Sequence, residues 1–288
     1  MNIPWNLMME KKQKFVAFSK AISGFPSAII NRLPAPNYMF ISTLTRNEIE
    51  KEISAAKANH GEEMGVIRLL FAPTEITEAN FSDVCASYSH FSKDDFDTVV
   101  IVESQPGSHE KKLPMPSKKV FSTHLGEVPA NDKLRNELCD EDDDFFIDDE
   151  AYSDELSFYS HLPILQTVLE DFSVLSLQIT DESPFIVKEL AHSLEEILAS
   201  RNALIIFCCD FDAAGTDNLD DIFELYEKNN ISGLMNRLNS GEVKIEGAGS
   251  LFAGLLVARK WGLKLHRKEI GGSSYSVFGE VQVQPIIG

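Results

Sequence analysis

Residues 204–215 have the sequence Leu-Ile-Ile-Phe-Cys-Cys-Asp-Phe-Asp-Ala-Ala-Gly, and this stretch decides the fold class. A short unbroken apolar run with β-branched Ile205 and Ile206 near its start is typical of a strand that is covered on both faces. The run stops at Asp210 and a turn. Because ligands of open α/β sheets gather where parallel strands end, Asp210 is the first candidate for a functional side chain. The alternative is that Asp210 only caps the turn, a common local role of Asp.

Strand and helix patterns alternate on both sides of this run. Strands are predicted at residues 65–72, 97–102, 172–179 and 274–285, and helices at residues 46–60, 81–90, 185–198, 218–228, 231–238 and 246–261. Thr45 and Glu48 form a capping box before the first helix, and Gly279 marks a bulge or a close approach in the last strand. Strands separated by helices predict an α/β three-layer sandwich, with a mainly parallel central sheet covered by helices on both faces.

The length of 288 residues suits one large α/β domain with an extension. A weakly amphipathic pattern over residues 11–22 predicts a helix near the start of the chain. We therefore expect an N-terminal helical extension at residues 1–31 and a single α/β domain at residues 32–288.

The charge of the chain limits its partners. Forty-five acidic against twenty-six basic residues give a net charge of -19, which repels phosphate backbones and anionic lipid surfaces. Neither nucleic acid nor a membrane is therefore an expected partner. The first fifteen residues lack an apolar core long enough for a signal peptide, and no later run approaches the length of a membrane span. These features predict a cytoplasmic protein.

Four cysteines show no paired spacing of the kind that binds metal. They are predicted to be buried free thiols, and adjacent Cys208 and Cys209 on a strand should point to opposite faces of the sheet. The remaining two are Cys85 and Cys139.

Residues 140–150 hold eight carboxylates interrupted by Phe145, Phe146 and Ile147. Mutual repulsion predicts a solvated, poorly packed loop at these residues. The polar sequence that directly follows Glu103 predicts a separate surface loop. A calcium-binding EF-hand loop is not indicated, because the required Gly and closing Glu are missing.

A series of short motifs follows the order found in one known family. The motifs are Arg32-Leu33-Pro34-Ala35, Tyr38-Met39-Phe40, Thr123-His124-Leu125-Gly126-Glu127-Val128, Glu155-Leu156-Ser157, Leu162-Pro163-Ile164-Leu165, Cys208-Cys209-Asp210 and Glu246-Gly247-Ala248-Gly249. Through them the chain resembles a divergent member of the MEMO family, also called AmmeMemoRadiSam system protein B. The resemblance covers roughly residues 32–283.

The resemblance implies the α/β sandwich of class III extradiol dioxygenases, whose active sites hold a non-haem iron. MEMO proteins place a His, His, Cys metal-binding set in the corresponding cleft. Here those three positions are Thr74, Pro106 and Glu246, with His109 three residues after the second. The residues that the resemblance places along the cleft are Thr74, Pro106, His109, Glu155, Leu156, Asp210, Ala213, Glu246 and Gly247.

These substitutions change the expected chemistry. Leu156 and Ala213 stand where the family has further histidines, whereas Asp210 and Glu155 keep the family identities. An iron site of the 2-His-1-carboxylate type needs imidazoles, which Thr74 and Pro106 cannot replace. We therefore expect no catalytic residue, metal or cofactor, and a protein that binds a small ligand or a partner protein.

An alternative keeps a divalent metal. In it, His109 folds back beside Asp210 and Glu246 to rebuild the site of a metal-dependent oxidoreductase or hydrolase. A further helix is predicted from Ser153 onward. His161, on that helix, and His192, on the helix at residues 185–198, are interpreted as packing or surface residues. The resemblance also implies association with AMMECR-type or radical-SAM proteins.

Glu246 and Gly247 begin a helix rich in small residues. Such a helix can pack closely on the sheet and leave backbone N–H groups that hold an anion. Two outcomes are open for Glu246: the helix N-terminus stabilises its charge, or repulsion from Asp210 raises its pKa.

Overall fold

The computed structural model describes residues 40–58, 64–152, 156–210, 216–243, 245–270 and 274–281. The chain separates into Met1–Ala35 and Pro36–Gly288, and all of the described residues belong to the second unit. The extension expected at residues 1–31 lies outside the described residues, as do Glu155 and Ala213.

Helices and strands alternate along the described part of the chain. The strands are β1 (Ile67–Ala72), β2 (Thr98–Ser104), β3 (Leu113–Met115), β4 (Val120–Thr123), β5 (Gly126–Pro129), β6 (Phe145–Ile147), β7 (Ser173–Ile179), β8 (Ala203–Cys208), β9 (Lys264–Ile270) and β10 (Ser274–Glu280). The helices are α1 (Arg46–Ala58), α2 (Phe81–Tyr88), α3 (Asp132–Glu141), α4 (Ser157–Val168), α5 (Pro184–Leu198), α6 (Thr216–Glu227), α7 (Ile231–Ser240) and α8 (Ala248–Lys260).

The central sheet has six strands in the order β7-β2-β8-β1-β10-β9. The first four are parallel, and β10 and β9 run antiparallel at one edge. β8, which comes from the apolar run at residues 204–209, lies between β2 and β1, with Ile205 opposite Val100 and Leu69. The predicted α/β class with a mainly parallel sheet is confirmed, and the sheet is mixed because of the β9–β10 pair.

Alternate residues of the parallel strands face two separate hydrophobic layers. Ile205 and Phe207 face the layer that contains α5 and α8, whereas Leu204, Ile206 and Cys208 face the layer that contains α1, α2 and α4. This arrangement makes the predicted three-layer sandwich. Among the described residues, no helix has the length and apolar character needed to cross a membrane.

The cysteines follow the prediction with one difference. All four are free, and Cys208 and Cys209 lie in different hydrophobic layers, as expected for neighbours on a strand. Cys85 is buried with them, but Cys139 is only half-buried because it lies near the end of α3.

Two local predictions are confirmed. The backbone N–H of Thr45 donates to the Glu48 carboxylate at 2.7 Å, and the N–H of Glu48 donates back to the Thr45 hydroxyl at 3.3 Å. Gly279 marks a close approach, since a Cβ there would lie 3.0 Å from the Cβ of Leu69. The pairing of β1 with β10 is also irregular between Ile67 and Leu69, opposite this glycine.

Residues 105–112, directly after β2, form turns and bends as predicted, but the rest of the segment before α4 is more regular than expected. It contains α3, the β4–β5 hairpin and a parallel pair of β3 and β6. The acidic residues 140–150 therefore include the end of α3 and all of β6. Phe145 is buried, Lys112 pairs with Asp144 at 2.8 Å, and the N–H of Ser117 donates to Asp149 at 2.8 Å. The loop prediction was wrong because apolar burial and these donors offset the charge repulsion.

The small residues of α8 allow it to lie directly on the sheet. A Cβ at Gly254 would lie 2.5 Å from the ring of Phe71 and 2.8 Å from that of Phe207, on β1 and β8. The helix is buried along its length from Ala248 to Ala258. Close packing of α8 therefore fixes its N-terminal end against the carboxyl end of the sheet.

We expect Gly254→Ala to destabilise the protein by about 1–2 kcal/mol, because overpacking against two rings outweighs the better helix propensity of Ala. Urea denaturation would measure the free energy of unfolding. Ser54→Ala on the exposed face of α1 is the control and should change it by less than about 0.5 kcal/mol. A stabilised Gly254→Ala variant would show that α8 can move away from the sheet.

Candidate functional site

The carboxyl ends of β1 and β8 meet the start of α8, at the edge of the sheet where the parallel strands end. The N–H of Cys209 donates to the carbonyl of Ala72 at 2.8 Å, and the N–H of Asp210 donates to the carbonyl of Glu246 at 3.0 Å. Gly247 has φ +77°, and a Cβ there would lie 2.3 Å from the carbonyl oxygen of Cys208. Glycine is therefore required at position 247, because any side chain would clash with the end of β8.

Asp210 is held by Thr74, the residue that directly follows Pro73 at the end of β1. The backbone N–H of Thr74 donates to Oδ1 of Asp210 at 2.9 Å, and the Thr74 hydroxyl donates to Oδ2. Thr74 is buried and Asp210 is half-buried. Both carboxylate oxygens of Asp210 thus have donors from the neighbouring strand end.

The N-terminus of α8 is capped by Glu182, which the sequence analysis did not single out. Its Oε1 accepts from the N–H of Gly249 at 2.7 Å and from the hydroxyl of Ser104 at 2.6 Å. A carboxylate in this position interacts favourably with the helix dipole. The anion position at α8 is thus taken by Glu182 and not by Glu246.

Glu246 is the exposed carboxylate at this edge. Partial burial of its carboxyl group, followed by repulsion from Asp210 and then from Glu75, raises the pKa of Glu246. Repulsion from Asp210, one of the two outcomes left open by the sequence, thus contributes to the raised pKa of Glu246 after the larger effect of burial.

Glu103, at the end of β2, caps a second helix. It accepts from the N–H and the hydroxyl of Ser157 at 2.9 and 3.0 Å, and from the N–H of Phe158 at 3.4 Å, all at the start of α4. Burial raises the pKa of Glu103, whereas these hydrogen bonds act in the opposite direction. The sequence analysis missed this role, although Glu103 ends an apolar strand in the same way as Asp210.

The two helical histidines behave as interpreted. His161 is fully buried between the hydroxyl of Tyr88 and the carbonyl of Pro73, each at 2.8 Å. Burial lowers the pKa of His161 to about 4, so the imidazole is neutral at physiological pH. His192 lies on the exposed face of α5, near Glu195 and Glu196.

His109 lies near Asp148 and Glu150, and not beside Asp210 and Glu246 as the alternative expected. Its possible ligand atom lies within 4.8 Å of those of Asp148 and Glu150, the one such group of three or more found among the described residues. The alternative that joined His109 to Asp210 and Glu246 is thus not formed. The backbone N–H of Lys111 donates to Nδ1 of His109 at 3.1 Å, which places the proton of the neutral ring on Nε2. In a metal-bound histidine, the ring nitrogen that does not bind the metal usually donates a hydrogen bond. In His109, Nδ1 accepts one instead.

Pro106 and Leu156, two further cleft positions among the described residues, hold no metal donor. Pro106 is exposed, and Leu156 is buried in the hydrophobic layer beneath α4. The donors left at the described cleft positions are the carboxylates of Asp210 and Glu246, the first of which is bonded to Thr74. This set does not fit a 2-His-1-carboxylate iron centre.

Three surface depressions lie away from this edge. Depressions of about 510 and 620 Å³ lie beside the amino ends of the strands, near Asp97 and Asn202, and a third of about 500 Å³ lies between α6 and α7. None of the three is lined by Thr74, Asp210 or Glu246.

The mixed central sheet between two helical layers defines a Memo-like α/β sandwich. A sequence model of the Memo-like protein family matches residues 46–283, and the chain belongs to this family. The chain is similar to MEMO1 family proteins of Thermotoga neapolitana, with 34% identity over 91 residues, and Nitrosopumilus maritimus, with 25% identity over 128 residues. A third relative, from Sulfolobus acidocaldarius, is 24% identical over 213 residues.

The three alignments differ in extent. They cover 31%, 44% and 69% of this chain and 33%, 46% and 75% of the respective relatives. The chain thus spans about a third and just under half of the length of the first two relatives that it matches.

We expect Thr74→Val to lower the free energy of unfolding by about 1–2 kcal/mol, because it leaves one oxygen of the half-buried Asp210 without its hydroxyl donor. Thr74→Ser keeps the hydroxyl and is the matched control, with a smaller loss. Urea denaturation would compare the two variants. Equal losses in both would show that the methyl group of Thr74, and not its hydrogen bond to Asp210, matters.

The raised pKa of Glu246 predicts a pH-dependent effect of Glu246→Gln. The folded state disfavours the ionised carboxyl, so the protein is most stable where Glu246 is protonated in both states and loses stability as the pH rises through the raised pKa. Glu246→Gln should therefore stabilise the protein at pH 7, by no more than about 0.5 kcal/mol because solvent screens an exposed group. The gain should vanish near about pH 3.

Denaturation at the two pH values would test this prediction. Glu127→Gln, at an exposed glutamate beside the amino ends of the strands, is the control. A stability loss at pH 7 in Glu246→Gln would mean that the Glu246 charge is favourable.

Proposed function

We propose that this chain is a non-catalytic member of the Memo-like family, which binds a small ligand or a partner protein. The observation that carries the proposal is the Thr74–Asp210 pair. Thr74 occupies the position at which the resemblance places the first metal-binding histidine, and it donates to both carboxylate oxygens of Asp210. A residue that would have supplied a metal ligand supplies hydrogen bonds to the fold.

Two other carboxylates at the carboxyl ends of the strands, buried Glu103 and half-buried Glu182, support the same proposal. Glu103 accepts from the start of α4, and Glu182 accepts from the start of α8 and from Ser104. In both residues, Oε1 accepts from donors that belong to the fold. The arrangement is that of a structural network, in which carboxylates are paired with N–H and O–H groups.

The charge of the chain indicates the kind of partner. With a net charge of -19 and a repelled carboxylate at Glu246, the surface favours neutral or cationic ligands and basic protein surfaces. Association with AMMECR-type or radical-SAM proteins is the partner class that the family resemblance implies. A cytoplasmic location is part of the proposal, and the free thiols of all four cysteines are consistent with a reducing compartment.

The proposal is tested by restoring the metal ligands of the family. We expect wild-type protein to carry well under one iron or zinc per chain and to shift its melting temperature by less than about 1 °C with Fe(II), Mn(II) or Zn(II). The triple variant Thr74→His, Pro106→His, Glu246→Cys should gain a metal-dependent rise of about 5 °C or more. Metal analysis and thermal melts without chelator provide both readouts.

The control is His109→Ala, which removes the imidazole near Asp148 and Glu150. Metal bound to wild-type protein and lost in His109→Ala would assign a surface site, and a metal-dependent enzyme built there would replace the non-catalytic proposal if turnover accompanied it. Stoichiometric metal that survives His109→Ala and is lost in Asp210→Asn would overturn the proposal.

A further inference from the structure

A polar side chain in β7 is buried with no hydrogen-bond partner from the described residues. Gln178, in β7, has an exposed fraction of 0%. Within the described part of the chain, neither its amide nitrogen Nε2 nor its amide oxygen Oε1 has a hydrogen-bond partner. Buried amides in folded proteins nearly always have partners, because removing them from water otherwise destabilises the fold.

Glu103 is the neighbour of Gln178 across the sheet. The two residues are direct partners in the parallel pairing of β2 and β7. Both side chains project on the face that carries α4, since Val174 and Ile101, at the same alternation, lie in that layer. The two polar groups therefore lie side by side under the start of α4.

The hydrogen bonds of Glu103 leave one of its oxygens with spare acceptor capacity. Oε1 accepts from the N–H and hydroxyl of Ser157 and from the amide of Gln105 at 3.2 Å. Oε2 accepts a single long hydrogen bond, from the N–H of Phe158 at 3.4 Å. Oε2 of Glu103 and the amide of Gln178 together present two acceptor oxygens and one donor nitrogen, which carries two N–H groups.

We propose that Glu103 and Gln178 form an enclosed subsite for one water molecule, which bridges the two side chains. Water donates to Oε1 of Gln178 and to Oε2 of Glu103, and it accepts from Nε2 of Gln178. A metal cation does not suit the Nε2–H donor, and an anion does not suit the two acceptor oxygens. Bulk solvent does not reach either side chain, since Glu103 is 4% and Gln178 0% exposed.

The proposed water agrees with what is general for folded proteins. Roughly one internal water occurs per 27 residues, and it usually makes about three hydrogen bonds to groups that the chain itself leaves unpaired. Here it would join β2, β7 and the Glu103 cap of α4. The subsite does not depend on the proposed function, because it would exist whether or not the protein binds a ligand or a partner.

Two measurements on the wild-type protein test the subsite directly. A crystal structure should show one density peak within hydrogen-bond distance of Gln178 and of Oε2 of Glu103. Water-selective NOE spectra of ¹⁵N-labelled protein should show a long-lived water signal at the side-chain amide of Gln178. A direct hydrogen bond between Gln178 and Glu103 without an intervening peak would overturn the proposal.

The variant Gln178→Met gives an independent result whose sign is decisive. It should lower the melting temperature by about 2–4 °C, because the water loses two of its three partners. A raised melting temperature would show that the amide was buried without a partner and would refute the subsite. Gln166→Met, which removes a different buried amide whose oxygen accepts from Thr123, is the control and should leave the water signal at Gln178 unchanged.

Discussion

The described structure depends on one constraint, which is that carboxylates at the ends of buried parallel strands need hydrogen-bond donors. Asp210 lies just after β8, and Glu103 lies near the end of β2. The covered sheet around them has a low dielectric, in which an unpaired charge is strongly unfavourable. The chain has 26 basic residues against 45 acidic ones. The buried carboxylates are therefore satisfied by backbone N–H groups and hydroxyls, from Thr74 and from the start of α4.

Sequence patterns predicted most of the fold because the parallel strands are apolar on both faces. The run at residues 204–209 could be assigned to a central strand, since its residues fill both hydrophobic layers. β9, by contrast, was not predicted. Its sequence, Lys-Leu-His-Arg-Lys-Glu-Ile, is that of an edge strand with few apolar residues. The pairing of β3 with β6 was also missed, since three-residue strands carry too little periodicity to be recognised.

Prediction of the candidate site was less complete. Family resemblance indicated Thr74, Asp210 and Glu246, and the structure brings the three to one edge of the sheet. The resemblance could not indicate that Glu182 would cap α8, because that contact joins residues 67 positions apart in sequence. Nor could it place His109, whose neighbours Asp148 and Glu150 come from a segment that was predicted to be a loop.

The end of β2 attaches the sheet to helices in both layers. Glu103 and Ser104 are consecutive, so their side chains point to opposite faces of the sheet: Glu103 bonds α4 in one layer, and Ser104 reaches α8 in the other through Glu182. A slip of β2 by one residue would exchange the two faces and break both attachments. The carboxyl end of β2 is thus attached to one helix of each layer, to α4 directly and to α8 through Glu182.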